Sequence, residues 1–244
     1  MALVQIKATD SNSIMAGGNV AFASNVVAGN TLMLCLARWY TTFNPTLVTD
    51  TQGNTWTKVD QENNYSGTGF SILLYTAVAV SSGPCTVTVT AVGGGNAAGG
   101  FLAEVNSLQS SPFDQASTTF VNSTSPVVTN NATPTVNGEY LMAFFSRREV
   151  TSSFTSNGLF TIRANSPTNG NCGVSDYTQP TAGAIQGTAG SGGVSAGYPV
   201  YGKLYTFKTA STTGIKTVNG LTKTSVKVVN GLAIASVKTW NGLA

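Results

Sequence analysis

Short runs of apolar and β-branched residues, separated by clusters of Gly, Pro and Asn, recur along most of the chain. Runs of this length with such boundaries are typical of β-strands joined by turns. No window keeps apolar residues at i, i+3, i+4 and i+7 for three turns with suitable caps, so no long helix is predicted. The body is expected to be all-β, with roughly ten strands or more. The clearest predicted strands are Leu3–Ala8, Thr31–Tyr40, Thr55–Val59, Phe70–Val80, Thr86–Val92, Phe101–Val105, Tyr140–Phe145 and Leu204–Lys208.

Two of these runs indicate which faces are buried. In Thr86–Val92 valines alternate with threonines, which predicts one face toward the core and the other toward water or another sheet. In Thr31–Tyr40 both alternating sets of side chains are largely apolar. That strand is therefore expected to lie centrally, buried on both faces.

Turn and loop signals separate the runs. Asp50–Asn54 contains turn formers, and Gly53 is free to take a positive φ at the bend. Calcium needs more oxygen ligands than this segment supplies, so we interpret it as a turn. Two stretches rich in Gly, Ser and Asn, Gly93–Gly100 and Ser166–Gly197, contain few large apolar residues. We interpret the second as surface loops, which either carry binding on a rigid sandwich or simply connect strands.

The end of the chain is an eleven-residue repeat that reads IKTVNGLTKTS, VKVVNGLAIAS and VKTWNGLA over residues 215–244. Asn-Gly is the preferred pair for a two-residue hairpin turn, because both residues need positive φ. The repeat predicts either a series of hairpins or a narrow solenoid with one rung per copy. Neither geometry lets so small a unit cover its own apolar residues, so the tail is interpreted as an assembly element. The residues expected to carry this role are Val218, Asn219, Gly220, Leu221, Val229, Asn230, Gly231, Leu232, Trp240, Asn241, Gly242 and Leu243.

These patterns divide the chain into a body, residues 1–210, and a tail, residues 211–244. The body is predicted to be one β-sandwich of the jelly-roll type. Residues 1–209 contain eight basic and nine acidic residues, whereas residues 210–244 contain four lysines and no acid, so net charges of −1 and +4 give the total of +3. Four lysines without arginine or an aromatic stacking surface do not form a nucleic-acid signature, and we do not expect nucleic-acid binding.

Composition limits the class of protein further. Charged residues make up 9% of the chain, so solubility rests on the neutral groups of Gly, Ser, Thr and Asn. The start of the chain lacks a basic segment followed by an apolar one, so no secretory signal is expected. The longest apolar run is too short to span a bilayer, and no membrane anchoring is expected. Cys35, Cys85 and Cys172 lack disulfide or metal-site spacing and are interpreted as buried small apolar residues.

The chain contains no histidine, which excludes the Ser-His-Asp and Cys-His arrangements and the commonest catalytic zinc ligands. Glu104 is the one acid within a strand-like apolar run, and we expect it to face solvent or cap a loop rather than act as a catalytic acid. Glu139, Arg147 and Glu149 are interpreted as part of a surface charge cluster. No phosphate-binding loop is present. No cofactor and no enzymatic activity are therefore expected.

A carbohydrate-binding module or receptor-binding adhesin is the alternative from a different functional class. A sandwich can present exposed aromatic rings to a cell-surface glycan, provided that two or three of the rings are coplanar. Packing within the core or on a sheet face is the plainer interpretation of the same rings. The candidate glycan contacts are Trp39, Tyr40, Trp56 and Tyr65.

The motifs together resemble a group of phage and phage-like bacterial proteins with a Thr/Ser/Gly-rich β-sandwich followed by Lys-x-x-Asn-Gly-Leu-Ala repeats. The resemblance covers the first half of the body and about the last 30 residues. It implies a virion structural component, such as a head decoration, fibre or tail protein, that forms homo-oligomers and contacts other virion proteins. It supplies no catalytic residues. The motifs that carry it are Asn30–Leu34, Thr49–Trp56, Thr86–Thr90, Ala103–Val105 and the three tail repeats.

Overall fold

The computed structural model describes residues 3–9, 18–39, 44–63, 69–92, 96–122, 124–147, 152–166, 172–191 and 199–210, and residues 217–218, 221–222, 228–229 and 232–233 of the tail. Strands are the only regular elements in these ranges, and the predicted all-β sandwich fold is confirmed. No helix of the length and hydropathy needed to cross a membrane occurs in them.

The first half of the body folds into a sandwich of two antiparallel sheets. The larger sheet has the order β1-β8-β3-β6-β5 and the smaller one β2-β7-β4. Leu32, Leu34 and Leu36 of β3 pack in the same apolar cluster as Val87 and Val89 of β7, so this face of β7 is buried as predicted. The strands are β1 (Leu3–Thr9), β2 (Asn19–Ala21), β3 (Thr31–Trp39), β4 (Asn44–Asp50), β5 (Thr57–Glu62), β6 (Phe70–Val78), β7 (Thr86–Val92) and β8 (Asn96–Val105).

The second half forms another sandwich. In its larger sheet β9 and β10 lie one after the other along the same edge of β17, followed by β12, β15 and β14. The smaller sheet has the order β11-β16-β13. Leu141, Ala143 and Phe145 of β12 share an apolar cluster with Val127 and Phe154 of the smaller sheet. The strands are β9 (Leu108–Ala116), β10 (Phe120–Asn122), β11 (Val127–Val128), β12 (Glu139–Arg147), β13 (Phe154–Ser156), β14 (Thr161–Asn165), β15 (Cys172–Gln179), β16 (Thr188–Ser191) and β17 (Val200–Thr209).

The two sandwiches have the same topology. With the strands of each half numbered from one to eight, and with β9 and β10 sharing the first place, both halves have the orders 1-8-3-6-5 and 2-7-4. This is the jelly-roll arrangement with the fifth strand moved to the edge of the larger sheet. The body therefore contains two jelly-roll sandwiches, whereas the sequence predicted one.

The equivalence of the two halves extends to individual residues. The segments Gly29–Arg38 and Gly138–Arg147 have Gly, Leu, Met and Arg at the same four places. Both glycines lie in the left-handed region, with φ of 85° and 79°. The pairing register shifts at Val59 in β5 and at Arg163 in β14, which are equivalent strands. The halves are thus two copies of one structural unit.

The larger sheets of the two sandwiches pack against each other. Met33 and Cys35 of β3 and Phe101 of β8 meet Met142 and Phe144 of β12 in a shared apolar cluster. The rings of Phe101 and Phe144 have centroids 5.8 Å apart. This cluster lies on one face of β3, and the cluster around Leu32, Leu34 and Leu36, here called the leucine cluster, lies on the other. The prediction of a central strand buried on both faces is therefore confirmed.

The interpretation of Ser166–Gly197 as surface loops is wrong. This stretch contains β15 (Cys172–Gln179), which lies inside the larger sheet between β12 and β14. Its small residues are required by close packing, since a Cβ atom on Gly173 would lie 2.6 Å from the ring of Phe154. The other glycine-rich stretch, Gly93–Gly100, likewise contains the start of β8 at Asn96.

The tail forms a separate unit, Ala210–Ala244, after the body unit Met1–Thr209. Its described residues form two antiparallel hairpins, β18 (Thr217–Val218) with β19 (Leu221–Thr222) and β20 (Val228–Val229) with β21 (Leu232–Ala233). In each hairpin the Asn-Gly dipeptide stands between the paired strands. Of the two geometries left open by the sequence, the described residues adopt hairpins.

Candidate functional site

Acidic side chains are the first candidates for chemistry, and seven of the nine lie in the described residues. Glu104 on β8 is fully buried. Its Oε1 atom accepts hydrogen bonds from the Val27 N–H at 2.8 Å and from the Asn30 amide at 2.6 Å, and Oε2 accepts one from Gln5 at 2.6 Å. Of the two expected roles, solvent exposure is wrong and capping of a loop is confirmed.

Asp50 organises the turn that follows β4. Its Oδ1 atom accepts hydrogen bonds from the backbone N–H groups of Gln52 and Asn54, and Oδ2 accepts from the side chains of Asn54 and Trp56. Gly53 has a φ of 74°, as expected for the bend. The turn interpretation of this segment is confirmed, because both carboxylate oxygens are occupied by donors of the turn itself.

Asp114 of β9 and Glu139 of β12 form a pair of carboxyl groups beside the loop that precedes β12. Thr135 donates its backbone N–H to both acids, and the N–H of Val136 donates to Glu139 at 2.9 Å. Burial raises the pKa of Glu139, and the charge of Asp114 adds to the rise. Burial also opposes ionisation of Asp114, but hydrogen bonds from Lys208 and Thr135 outweigh it and lower the pKa of Asp114. As pH rises, Glu139 therefore keeps its proton to a higher pH than Asp114 does. Both acids hold the loop in place through hydrogen bonds to Thr135 and Val136.

The expected surface charge cluster around β12 is wrong for Glu139 and Arg147, because both are fully buried. The Arg147 guanidinium donates to the Ser191 hydroxyl at 2.6 Å and lies over the Phe154 ring, 4.6 Å from its centroid. Glu149 lies outside the described residues. Burying both side chains is possible because each finds polar or aromatic partners on neighbouring strands.

A second ionic group joins the two sandwiches. The Nζ atom of Lys203 on β17 lies 2.8 Å from Asp60 Oδ2 and 3.3 Å from Glu62 Oε2 on β5. Thr119 donates its N–H and its hydroxyl to the same Glu62 oxygen. Burial opposes ionisation of Glu62, but the Thr119 hydrogen bonds and the Lys203 charge outweigh it and lower the pKa of Glu62. These acids are therefore structural partners of a buried lysine.

The remaining described acid, Asp176 on β15, belongs to a third group. It pairs with Arg163 at 2.5 Å and accepts a hydrogen bond from the Tyr140 hydroxyl at 3.0 Å. Burial and the negative charge of Asp176 raise the pKa of Tyr140 well above its usual range. This tyrosine is a neutral hydrogen-bond donor at ordinary pH.

The three cysteines are buried free thiols, which confirms their interpretation as small core residues. Burial raises the pKa of Cys35 well above its usual range and that of Cys85 to about 12. A cysteine nucleophile must be a thiolate to react. Neither thiol is therefore prepared for nucleophilic chemistry. Within the described ranges, no three Cys, Asp or Glu residues are grouped in a way that could hold a metal ion.

Of the four aromatic residues predicted to contact glycan, Trp56 has a described side chain. Trp56 is half-buried against the leucine cluster of the first sandwich, and its indole N–H donates to Asp50 at 2.7 Å. Trp39 ends β3, and Tyr40 and Tyr65 lie outside the described residues. The glycan contact of this group stays a prediction.

Of the predicted tail residues, too, only some lie within the described part of the chain. Val218 pairs with Leu221, and Val229 pairs with Leu232, as the hairpin geometry requires. The other eight predicted tail residues, in the two turns and the last repeat, lie outside the described residues: Asn219, Gly220, Asn230, Gly231, Trp240, Asn241, Gly242 and Leu243.

A cleft of about 320 Å³ lies where β5 and β6 of the first sandwich meet β9 of the second. Sequence reasoning missed it, because its walls come from segments far apart in the chain. All ten residues that line it are uncharged, and half of them carry hydroxyl groups. The hydroxyl-bearing residues are Thr55, Thr57, Thr76, Ser110 and Ser111.

Comparison of the chain with protein-family models, with curated proteins and with solved structures found no match.

Proposed function

We propose that the protein is a structural subunit of a phage particle or of a similar extracellular assembly, and that it has no catalytic role. The observation that carries the proposal is the tail, where successive copies of the repeat form short antiparallel pairs around Asn-Gly. Two-stranded units of this size are marginally stable alone in water. The tail therefore depends on a partner, which we infer to be other copies of the chain and other virion proteins.

The body supports the proposal through its construction. Jelly-roll sandwiches serve as viral capsid and lectin domains. Here two of them share one apolar cluster between their larger sheets, and each has a further cluster of its own. These clusters stabilise the body, and the low charge content leaves a largely neutral surface. Such a body suits close contact with other subunits.

The contacts of the acidic side chains also support a non-catalytic role. A general acid or base must reach the proton that it transfers. The seven described acids instead accept hydrogen bonds or join ion pairs within the fold, and Glu104 and Asp50 hold loops in place. Moving any of them to a substrate would break contacts that stabilise the sandwiches.

Two measurements on the purified full-length chain test the proposal together. Negative-stain electron microscopy over a range of concentrations is expected to show regular multimers, such as rings, fibres or sheets. A screen of glycan substrates is expected to show no turnover. Single-chain particles at every concentration, together with a reproducible turnover of any glycan substrate, would overturn both halves of the proposal.

A further inference from the structure

Five hydroxyl groups line the cleft between β5, β6 and β9. None of Thr55, Thr57, Thr76, Ser110 and Ser111 makes a side-chain hydrogen bond to another described residue. Some other hydroxyl groups of the body are engaged within the fold: Thr119 donates to Glu62, and Ser117 accepts from the Leu204 N–H. The five hydroxyl groups of the cleft are therefore available to a ligand.

The second sandwich has charged residues at two of the equivalent positions. Thr57 pairs with Thr76 across β5 and β6, and Thr161 pairs with Asp176 across β14 and β15. The residue at the register shift is Val59 in the first copy and Arg163 in the second. In the second copy Arg163 and Asp176 form an ion pair of 2.5 Å at these positions.

The two copies of one unit therefore differ at this place. The second copy has a stabilising contact, whereas the first has an open cleft lined with uncharged groups. A purely structural role would be served by either set of residues, since the same strand pairing forms with both. This divergence indicates that the cleft has a use of its own.

The chemistry of the walls selects the ligand. A hydroxyl group both donates and accepts hydrogen bonds, so five of them match a ligand rich in hydroxyl groups. The absence of charge among the ten lining residues disfavours anions and cations. Pro112 and Phe113 add apolar surface on which the C–H face of a sugar ring can lie. The volume of about 320 Å³ is at the lower end of the range for small-molecule sites.

We propose that this cleft binds a neutral saccharide. The inference goes beyond the structural role proposed above and does not depend on the tail, since every residue that lines the cleft belongs to the body. The site also differs from the aromatic group that the sequence suggests for glycan contact. The ligand is expected to hydrogen-bond Thr57, Thr76 and Ser111 and to rest against Phe113.

The test is a titration of the full-length chain, by saturation-transfer-difference NMR and calorimetry, with neutral mono- and disaccharides of glucose, galactose, mannose, rhamnose and N-acetylglucosamine. Glucuronic acid and sialyllactose serve as charged probes. The substitution Thr57→Val removes one cleft hydroxyl with little change of shape. Its matched control is Thr161→Val, which removes the equivalent exposed hydroxyl from the second sandwich, beside the Arg163–Asp176 ion pair.

At least one neutral saccharide is expected to bind at millimolar concentration or below. Thr57→Val is expected to raise its dissociation constant about 2- to 10-fold, the value of one hydrogen bond, while Thr161→Val leaves it unchanged. Ser111→Tyr, which fills the cleft from an exposed strand position, is expected to abolish binding. The proposal is overturned if no neutral saccharide binds, if the charged probes bind more tightly, or if Thr57→Val and Thr161→Val have equal effects.

Discussion

At the scale of single residues, two glycines set how closely the strands of the larger sheets approach each other. A Cβ atom on Gly202 of β17 would lie 1.9 Å from the carbonyl oxygen of Phe144, and one on Gly100 of β8 would lie 2.3 Å from that of Cys35. These are equivalent positions in the two copies of the unit. The same close approach is therefore required twice, and glycine alone permits it.

Replacing Gly202 with alanine is expected to destabilise the body by about 3 kcal/mol or more, because the methyl group forces β17 away from β12. Gly29→Ala is the control. Gly29 has a φ of 85° but no atom within 4 Å of its Cβ position, so its cost is backbone strain of about 1 kcal/mol. Urea unfolding followed by tryptophan fluorescence measures both. Equal midpoints for the two variants would contradict the account of strand approach.

The carboxyl pair of Asp114 and Glu139 gives a prediction about pH. Because burial raises the folded-state pKa of Glu139, its contribution to stability is fully present below the ordinary value of 4.5 and is lost as pH rises through the raised pKa. Asp114 has a lowered pKa, so its contribution is present above 3.8 and is lost as pH falls. Glu139→Gln keeps an acceptor for Thr135 and Val136 and supplies a donor to Asp114.

Relative to the wild type, Glu139→Gln is therefore expected to gain about 1 kcal/mol between pH 5 and pH 8. The same substitution at Glu104 is the control. Glu104→Gln replaces one acceptor oxygen with an NH2 group, which then faces the donors of Val27 and Asn30 or the donor of Gln5. Because two donors cannot hydrogen-bond each other, this variant is expected to destabilise the body at both pH values. Thermal unfolding at the two pH values measures this. A Glu139→Gln variant with the pH dependence of the wild type would rule out the proposed proton on Glu139.

At the scale of strands, the sequence predicts those strands whose pattern of apolar and polar residues matches which faces are buried. Both faces of β3 are apolar and both are buried. By contrast, β15 contains small and polar residues because Phe154 and the neighbouring strands fill the space around it, so its pattern resembles that of a loop. The cleft and the doubling of the sandwich depend on contacts between distant segments, and no local pattern contains that information.

The tail hairpins lead to a prediction about assembly. Val218 and Leu221 are paired across two residues, and a connection of this length favours positive φ at both. Valine cannot adopt that conformation without strain, so the double variant Gly220→Val and Gly231→Val is expected to reduce assembly. The melting temperature of the body is expected to stay unchanged.

Thr222→Val, in the strand after the first turn, is the matched control and is expected to assemble normally, since β-branched residues suit strands. Sedimentation velocity measures assembly, and calorimetry measures the melting of the body. If the double glycine variant assembles like the control, the turns do not set the geometry of the tail.

At the scale of the whole body, Lys203 couples the two sandwiches through Asp60 and Glu62. Lys203→Met leaves two acids near each other without their cation and is expected to destabilise the body at pH 7 by about 2 to 3 kcal/mol. Because the pKa of Glu62 is lowered in the folded state, its contribution is present above 4.5 and is lost as pH falls through the lowered value.

The difference between Lys203→Met and the wild type is therefore expected to shrink at acid pH. Lys208→Met, which removes an ion pair to Asp114 within the second sandwich, is the control and is expected to cost less, since Lys208 is more exposed than Lys203. Urea unfolding at neutral and acid pH measures both. A Lys203→Met variant as stable as the wild type at neutral pH would show that the ionic contact does not couple the sandwiches.

In the proposed function the body is a subunit, and residues 211–244 hold subunits together. The most direct test is the mass in solution, by multi-angle light scattering, of the full chain and of a chain ending at Ala210. We expect a multiple of 25.1 kDa for the full chain and a smaller assembly or a monomer for the shortened one, with the same melting temperature for the body. Identical association states for the two chains would contradict it and make the tail a free appendage.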